Sequence, residues 1–212
     1  MNNERSFLCP GGIYHIYNRG NNRETIFYTD ENYRYFLGKY AKYLTPVLET
    51  FAYCLLPNHF HLAVRVKTLA EIADGGAGFA GFKNLESLDD NDLGRLVSNQ
   101  FRLCFMSYAK AFNKQYNRTG SLFQKNFKRL PVENTAYLAN LVLYIHANPQ
   151  LHGIWDDYRE WPHSSYPGLL SEGVTRLQRA RTLELLGGRD AFVQAHQQYY
   201  ALKIMQHLMI ED

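Results

Sequence analysis

Two histidines stand two residues apart in Pro57-Asn58-His59-Phe60-His61-Leu62-Ala63-Val64. On an extended strand such a pair projects from one face, about 7 Å apart along the chain. Neutral imidazole is a common ligand for divalent metals, so His59 and His61 can converge on one ion. Phe60, Leu62, Val64 and Val66 then point the other way, into a core. The alternative is a pair of polar side chains on a partly exposed face. Rival metal folds are screened by the context. A cupin needs a glutamate a few residues on, where this chain has Ala63, Val64, Arg65 and Val66, and an amidohydrolase barrel needs a much longer chain.

A second signal is Tyr108, within Ser107-Tyr108-Ala109-Lys110-Ala111-Phe112-Asn113-Lys114. Leu93, Val97, Phe101, Cys104, Phe105, Tyr108 and Phe112 recur every three or four residues, so they form one helical stripe that should face a sheet. A phenol facing a metal-bearing strand could attack a polarised phosphate. With an unperturbed pKa of about 10 it needs a nearby cation, a base or an activated electrophile. Lys110 and Lys114 flank it. The alternative is an ordinary core tyrosine.

Charge is the third signal. No Asp or Glu occurs from Leu93 through Val132, while Arg95, Arg102, Lys110, Lys114, Arg118, Lys125, Lys128 and Arg129 do. Interleaved with Phe112, Tyr116, Phe123 and Phe127, these cations suit a single-strand groove, with charge for phosphates and rings for bases. A solvated helix face is the competing account.

The elements that must position these residues follow from the pattern. Residues 12–18 alternate as a strand, followed by a polar loop through Asn18-Arg19-Gly20-Asn21-Asn22-Arg23. Asp30 is expected to cap a helix over 31–44 that ends before Pro46. Residues 49–56 read as a strand covered on both faces, and His59 to Val66 as its antiparallel neighbour across Pro57-Asn58. The stretch 73–92 reads as a flexible, partly acidic insertion, followed by a helix over 92–116 that ends at Asn117-Arg118-Thr119-Gly120. Residues 127–132 suit a short edge strand, since Pro131 cannot donate to a central ladder. A helix over 135–147 should stop at Asn148-Pro149, and two more are expected at 175–186 and 190–207. The order β-α-β-β-α-β predicts an α+β, ferredoxin-like split βαβ with an antiparallel four-stranded sheet. Residues 1–150 would form the catalytic domain and 151–212 a C-terminal helical extension packed on it.

At 212 residues and 46% hydrophobic, the chain can bury one sizeable core with an appended lobe. Its net charge of +3 says little alone, so the distribution matters more. Cys9, Cys54 and Cys104 are odd in number and widely spaced, which suggests neither a thiolate metal site nor a disulfide framework. A signal peptide and a membrane-length apolar run are not expected. A cytoplasmic, nucleoid-associated location fits best.

Read together, the motifs carry a resemblance. Tyr14-His15-Ile16-Tyr17-Asn18-Arg19-Gly20-Asn21 and Leu56-Pro57-Asn58-His59-Phe60-His61 resemble the one-tyrosine transposases of the HUH nuclease superfamily. Tyr108 with Phe112-Asn113, Gly120-Ser121-Leu122-Phe123-Gln124, Tyr144-Ile145-His146-Ala147-Asn148-Pro149 and Trp161-Pro162 with Ser164-Ser165-Tyr166 narrow this to the REP-associated tyrosine transposases, over roughly residues 11–170.

The resemblance implies that His59 and His61 hold Mg²⁺ or Mn²⁺ and that Tyr108 is the nucleophile. In many such relatives a polar residue one helical turn after the tyrosine completes the metal site. Here that place is Phe112, so Asn113 is the substitute, with water as the alternative. The expected activity is metal-dependent cleavage and rejoining of single-stranded or hairpin DNA through a 5′-phosphotyrosine. Lys110, Lys114, Arg118, Lys125, Lys128 and Arg129 would hold the DNA backbone, and Arg19 with its loop the hairpin or its flank. The rival readings are a hairpin-binding regulator of the same fold without cleavage, and a metal phosphodiesterase that uses water. Relatives of this kind act as monomers or homodimers.

Overall fold

The computed structural model describes residues 7–74 and 88–208. Strands β1 (Ile13–Arg19), β2 (Leu48–Leu56), β3 (His59–Val66) and β4 (Lys128–Pro131) form one sheet in the order β2-β3-β1-β4. Every neighbouring pair is antiparallel. Helix α1 (Asp30–Tyr43) connects β1 to β2, and the short α2 (Leu69–Asp74) and long α3 (Asp90–Gln115) lie between β3 and β4. This is the split βαβ arrangement that the element order predicts.

The pleat divides the sheet into two faces. Residues directly opposite on neighbouring strands share a face. The register pairs Asn18 with Phe60, Ile16 with Leu62 and Tyr14 with Val64. These six side chains are all buried, and Phe36 of α1 and Phe105 of α3 lie 5.4 and 5.6 Å from Phe60, ring to ring. Both crossover helices therefore cover the Phe60 face. The same register pairs Arg19 with His59, Tyr17 with His61 and His15 with Ala63, which places those polar groups on the opposite face.

That second face is covered by later chain. Helix α4 (Thr135–Leu151) packs across β2 and β3, followed by α5 (Tyr166–Leu170), α6 (Arg179–Leu185) and α7 (Arg189–Leu208). Trp161 donates from Nε1 to the Leu55 carbonyl (3.0 Å), and the Ser165 hydroxyl accepts from the Tyr53 amide (2.8 Å), fixing the extension to β2. A buried relay ties α7 to α4. The Phe192 carbonyl can only accept, so His196 donates to it from Nδ1 at 2.7 Å. His196 Nε2 must then accept from His146 Nδ1 (2.8 Å), whose Nε2 accepts from the Ser165 hydroxyl (2.7 Å). Burial holds both imidazoles neutral, pushing His196 down to about 4 and His146 well below its ordinary value.

Some boundaries depart from the sequence reading. Thr29, not Asp30, caps α1, because its hydroxyl and the Asn32 side chain satisfy each other's backbone amides. Helix α4 continues past Asn148-Pro149 to Leu151. The Pro149 carbonyl accepts from the amides of Ile154 (2.8 Å) and Trp155 (3.2 Å), so the last turn is closed despite the proline. The helix expected over 175–186 begins only at Arg179. Of the expected insertion at 73–92, residues 75–87 lie outside the described residues. No helix among the described residues is long and apolar enough to cross a membrane.

Candidate active site

The centre of the second face is a cluster of imidazoles. His59 and His61 lie 5.2 Å apart, ring to ring, and nearly perpendicular. Each has its Nδ1 engaged. The Asn58 carboxamide oxygen sits 2.6 Å from His59 Nδ1. That oxygen only accepts, so His59 carries its proton on Nδ1 and leaves a lone pair on Nε2. His61 Nδ1 lies 2.9 Å from His15 Nε2. The ring of His152, just past α4, stands 5.7 Å from His59. Burial is the main cause that lowers both members of the pair. His59 falls to about 4, helped by the charges of His152 and Arg19, and His61 falls well below its ordinary value. Both are therefore neutral at neutral pH, the form that binds a cation.

Above the pair stands Tyr144 of α4. Its ring is 5.5 Å from His61 and 6.1 Å from His15, and edge-on to both. The residue is half-buried. Burial raises its pKa, and hydrogen bonding from the Asn148 side chain pulls the other way. Asn148 lies one turn further along the same helix and is fully buried. Its Nδ2 donates to the Tyr144 carbonyl (2.7 Å), but its Oδ1 has no partner among the described residues. An orphaned buried carboxamide oxygen calls for a donor or a cation. On a helix that packs across β3, it could serve as a donor to a cation held at the histidine face. Among the described residues, no group of three or more His, Cys, Asp or Glu side chains is placed to hold one ion.

Tyr108 is elsewhere. It is 1% exposed, and its hydroxyl donates to the Ile26 carbonyl at 2.5 Å. Phe27, Phe36, Phe112 and Phe123 surround its ring at 5.3 to 6.0 Å. Phe36 and Phe123 also pack on Phe60, so Tyr108 lies under the face opposite the histidines. Burial raises its pKa further from a usable range. The helical stripe predicted from the sequence is real, but it faces the wrong side of the sheet for chemistry at His59 and His61. Asn113 shares that displacement. Its Nδ2 donates to the Gly120 carbonyl (2.9 Å) and its Oδ1 accepts from Arg118 (2.8 Å), so both ends of the amide serve the turn after α3. The Tyr144-Ile145-His146-Ala147-Asn148 segment carried the missed signal, a tyrosine with a polar residue one turn later.

The basic residues separate into groups. Arg19 sits beside His59 across the strand pair, and its buried Nε has no partner among the described residues. Lys128 pairs with Tyr17, which places it on the histidine face of the edge strand, whereas Arg129 pairs with Ile16 on the other. Lys110, Lys125 and Arg129, with Arg102, line a cleft of about 530 Å³ between α3 and residues 120–127. Phe105, Phe123 and Phe127 contribute to its wall, and no acidic residue does. Lys114 is exposed in the last turn of α3. Arg118 is engaged by Asn113 and by an ion pair with Glu24.

A split βαβ sheet with paired histidines on an inner strand, overlaid by a tyrosine-bearing helix, belongs to the α+β class, and the proteins it is similar to are named as transposases. The resemblance read from the motifs holds in both sequence and fold. No family model matches the chain. The chain is 27% identical over 172 residues to a Haemophilus influenzae protein named as a REP-associated tyrosine transposase, covering 78% of this chain and 86% of the relative. Among solved structures, a REP-associated tyrosine transposase bound to a REP hairpin aligns with a TM-score of 0.51 and 19% identity. That alignment covers 82% of this chain and 88% of the other, and shows the shared fold.

Proposed function

We propose that the protein is a metal-dependent, single-tyrosine strand transferase acting on single-stranded or hairpin DNA, with Tyr144 as its nucleophile. The observation that carries this reading is the convergence on one sheet face of His59, His61 and the half-buried Tyr144, with the orphaned Asn148 oxygen one turn along the same helix. The hairpin-bound relative of the same fold supports the class of substrate.

The donors fit a hard divalent cation such as Mg²⁺ or Mn²⁺: Nε2 of His59, Nε2 of His61 and Oδ1 of Asn148, with water completing the shell. When bound, the ion withdraws charge from the scissile phosphate and eases departure of the 3′ oxygen. The chain's own residues do the rest. The Tyr144 oxygen forms a bond to phosphorus and gives up its proton. The bond from phosphorus to the 3′ oxygen breaks, and that oxygen leaves with the electron pair and takes up a proton. The products are a 5′-phosphotyrosine and a free 3′-OH. Attack by a second 3′-OH reverses the sequence and rejoins the strand, so no nucleotide cofactor is consumed. Arg19, beside His59 with an Nε that has no partner among the described residues, would hold a phosphate oxygen. The cleft lined by Arg102, Lys110, Lys125 and Arg129 would hold the strand, with phenylalanines available for stacking.

The test is incubation with end-labelled hairpin DNA and Mg²⁺ or Mn²⁺, read on a denaturing gel. A protein–DNA band that vanishes in Tyr144→Phe, His59→Ala and His61→Ala is the expected result. Hairpin binding without any such band would leave a binding protein of this fold, and turnover that survives Tyr144→Phe would point to water as the nucleophile.

A further inference from the structure

Each histidine of the pair has its inner nitrogen occupied, but by different partners. For His59 the partner is a carboxamide oxygen, which fixes the proton on Nδ1 without ambiguity. For His61 the partner is another imidazole, His15 Nε2, at 2.9 Å. In a neutral pair only one of these two nitrogens carries the shared proton. If His15 donates it, His61 holds its own proton on Nε2 and has no lone pair to offer a cation. If His61 donates it, Nε2 is bare.

The second arrangement is the one a metal site requires. We infer that His15 is a positioning residue: it accepts from His61 Nδ1, fixes the tautomer of that ring, and so turns Nε2 of His61 into a ligand. This rests on the reading of His59 and His61 as metal ligands. The contact is built to last. His15 and His61 are each 7% exposed, and their rings stack at 5.1 Å. His15 is also held by Tyr17 at 4.8 Å and by the edge of Tyr144 at 6.1 Å. Its position on β1, the strand next to β3, lets the sheet set the spacing. Outer partners at the second nitrogen of a metal-bound histidine usually are carboxylates, carbonyls or water, and they orient the ring. Here a neutral imidazole would take that part.

The experiment uses the full chain and two variants. In His15→Gln a carboxamide oxygen stands in for the accepting nitrogen. In His15→Phe a ring remains but the acceptor is lost. Long-range proton–nitrogen correlation spectra of the metal-free protein report which nitrogen of His61 is protonated. The expected result is Nδ1–H in the wild type and in His15→Gln. Mn²⁺ affinity, followed by the resonance of free Mn²⁺, should fall about 10–100-fold in His15→Phe and be largely kept in His15→Gln. A wild-type spectrum with the His61 proton on Nε2 overturns the inference. So does wild-type Mn²⁺ affinity in His15→Phe, or equal loss in both variants, which marks a packing role. If the wild type binds no Mn²⁺, the metal reading itself fails, and the spectrum still decides the hydrogen-bond direction.

Discussion

Replacing Tyr108 by Phe removes one oxygen from beneath the sheet and leaves the Ile26 carbonyl, now fully enclosed, without the hydrogen bond it receives at 2.5 Å. Deleting one partner of a buried hydrogen bond costs about 1–3 kcal/mol. For a chain of this size each kcal/mol lowers the melting temperature by about 2–4 °C, so Tyr108→Phe should melt about 2–12 °C lower. Its covalent DNA adduct should form as in the wild type at temperatures where both are folded. Tyr144→Phe is the mirror image. Tyr144 is only half-buried, and losing one hydrogen-bonded hydroxyl there costs about 0.5–1.5 kcal/mol. Its melting temperature should therefore fall by about 1–6 °C, while the adduct disappears. The assay pairs thermal melting with a denaturing gel on radiolabelled hairpin DNA. An adduct that persists in Tyr144→Phe, or is lost in a well-folded Tyr108→Phe, refutes the assignment of chemistry to the α4 face.

Other expectations follow from the same geometry. Asn148→Ala removes the orphaned oxygen and should weaken Mn²⁺ binding about tenfold, by titration calorimetry, with an unchanged far-ultraviolet spectrum. Arg19→Met should slow adduct formation far more than it weakens hairpin affinity in a filter-binding assay. Lys110→Ala and Lys125→Ala should each flatten the dependence of log affinity on log salt by about 0.7 for single strands. Stability should also fall in acid. His196 is held at about 4 by burial, against about 6.5 when unfolded. Below 6.5 the unfolded chain takes up the proton first, so stability is complete above that pH and declines between 6.5 and 4. The most this one ring can contribute is about 3 kcal/mol. Urea midpoints from pH 7.5 to 4.5 should drop less steeply in His196→Phe, and equal slopes would contradict the relay's neutral form.

Much of the frame was legible because it rests on short-range patterns. Alternation around His59 and His61 marked β3 and its buried side correctly, and the spacing of Leu93 through Phe112 marked the buried stripe of α3. What periodicity could not reveal is which side of the sheet a helix covers. Tyr108 belongs to a good amphipathic stripe, and such a stripe needs only an apolar floor, which Phe60 and its neighbours supply. Tyr144 lies on a helix that is apolar almost all round, so no stripe singled it out. Its placement depends on the register of β1 against β3 and on the packing of α4 across them, both long-range. The spacing of Tyr144 to Asn148 was visible, but Pro149 made that segment read as a helix end rather than as a working surface. His15 was hidden for a related reason, since its partner His61 is 46 residues away.

The two sides of the sheet bear on how such a gene would age. One side offers the basic cleft and the other the histidines with their tyrosine, and the strands between them belong to both. On the proposed function, a lesion beneath α4 would silence cutting and spare the grip on DNA, whereas damage around α3 would loosen the grip and leave the chemical groups in place. Descendants of such an enzyme would then be able to shed one talent and retain the other, and a copy kept only to sit on hairpins would need no new architecture.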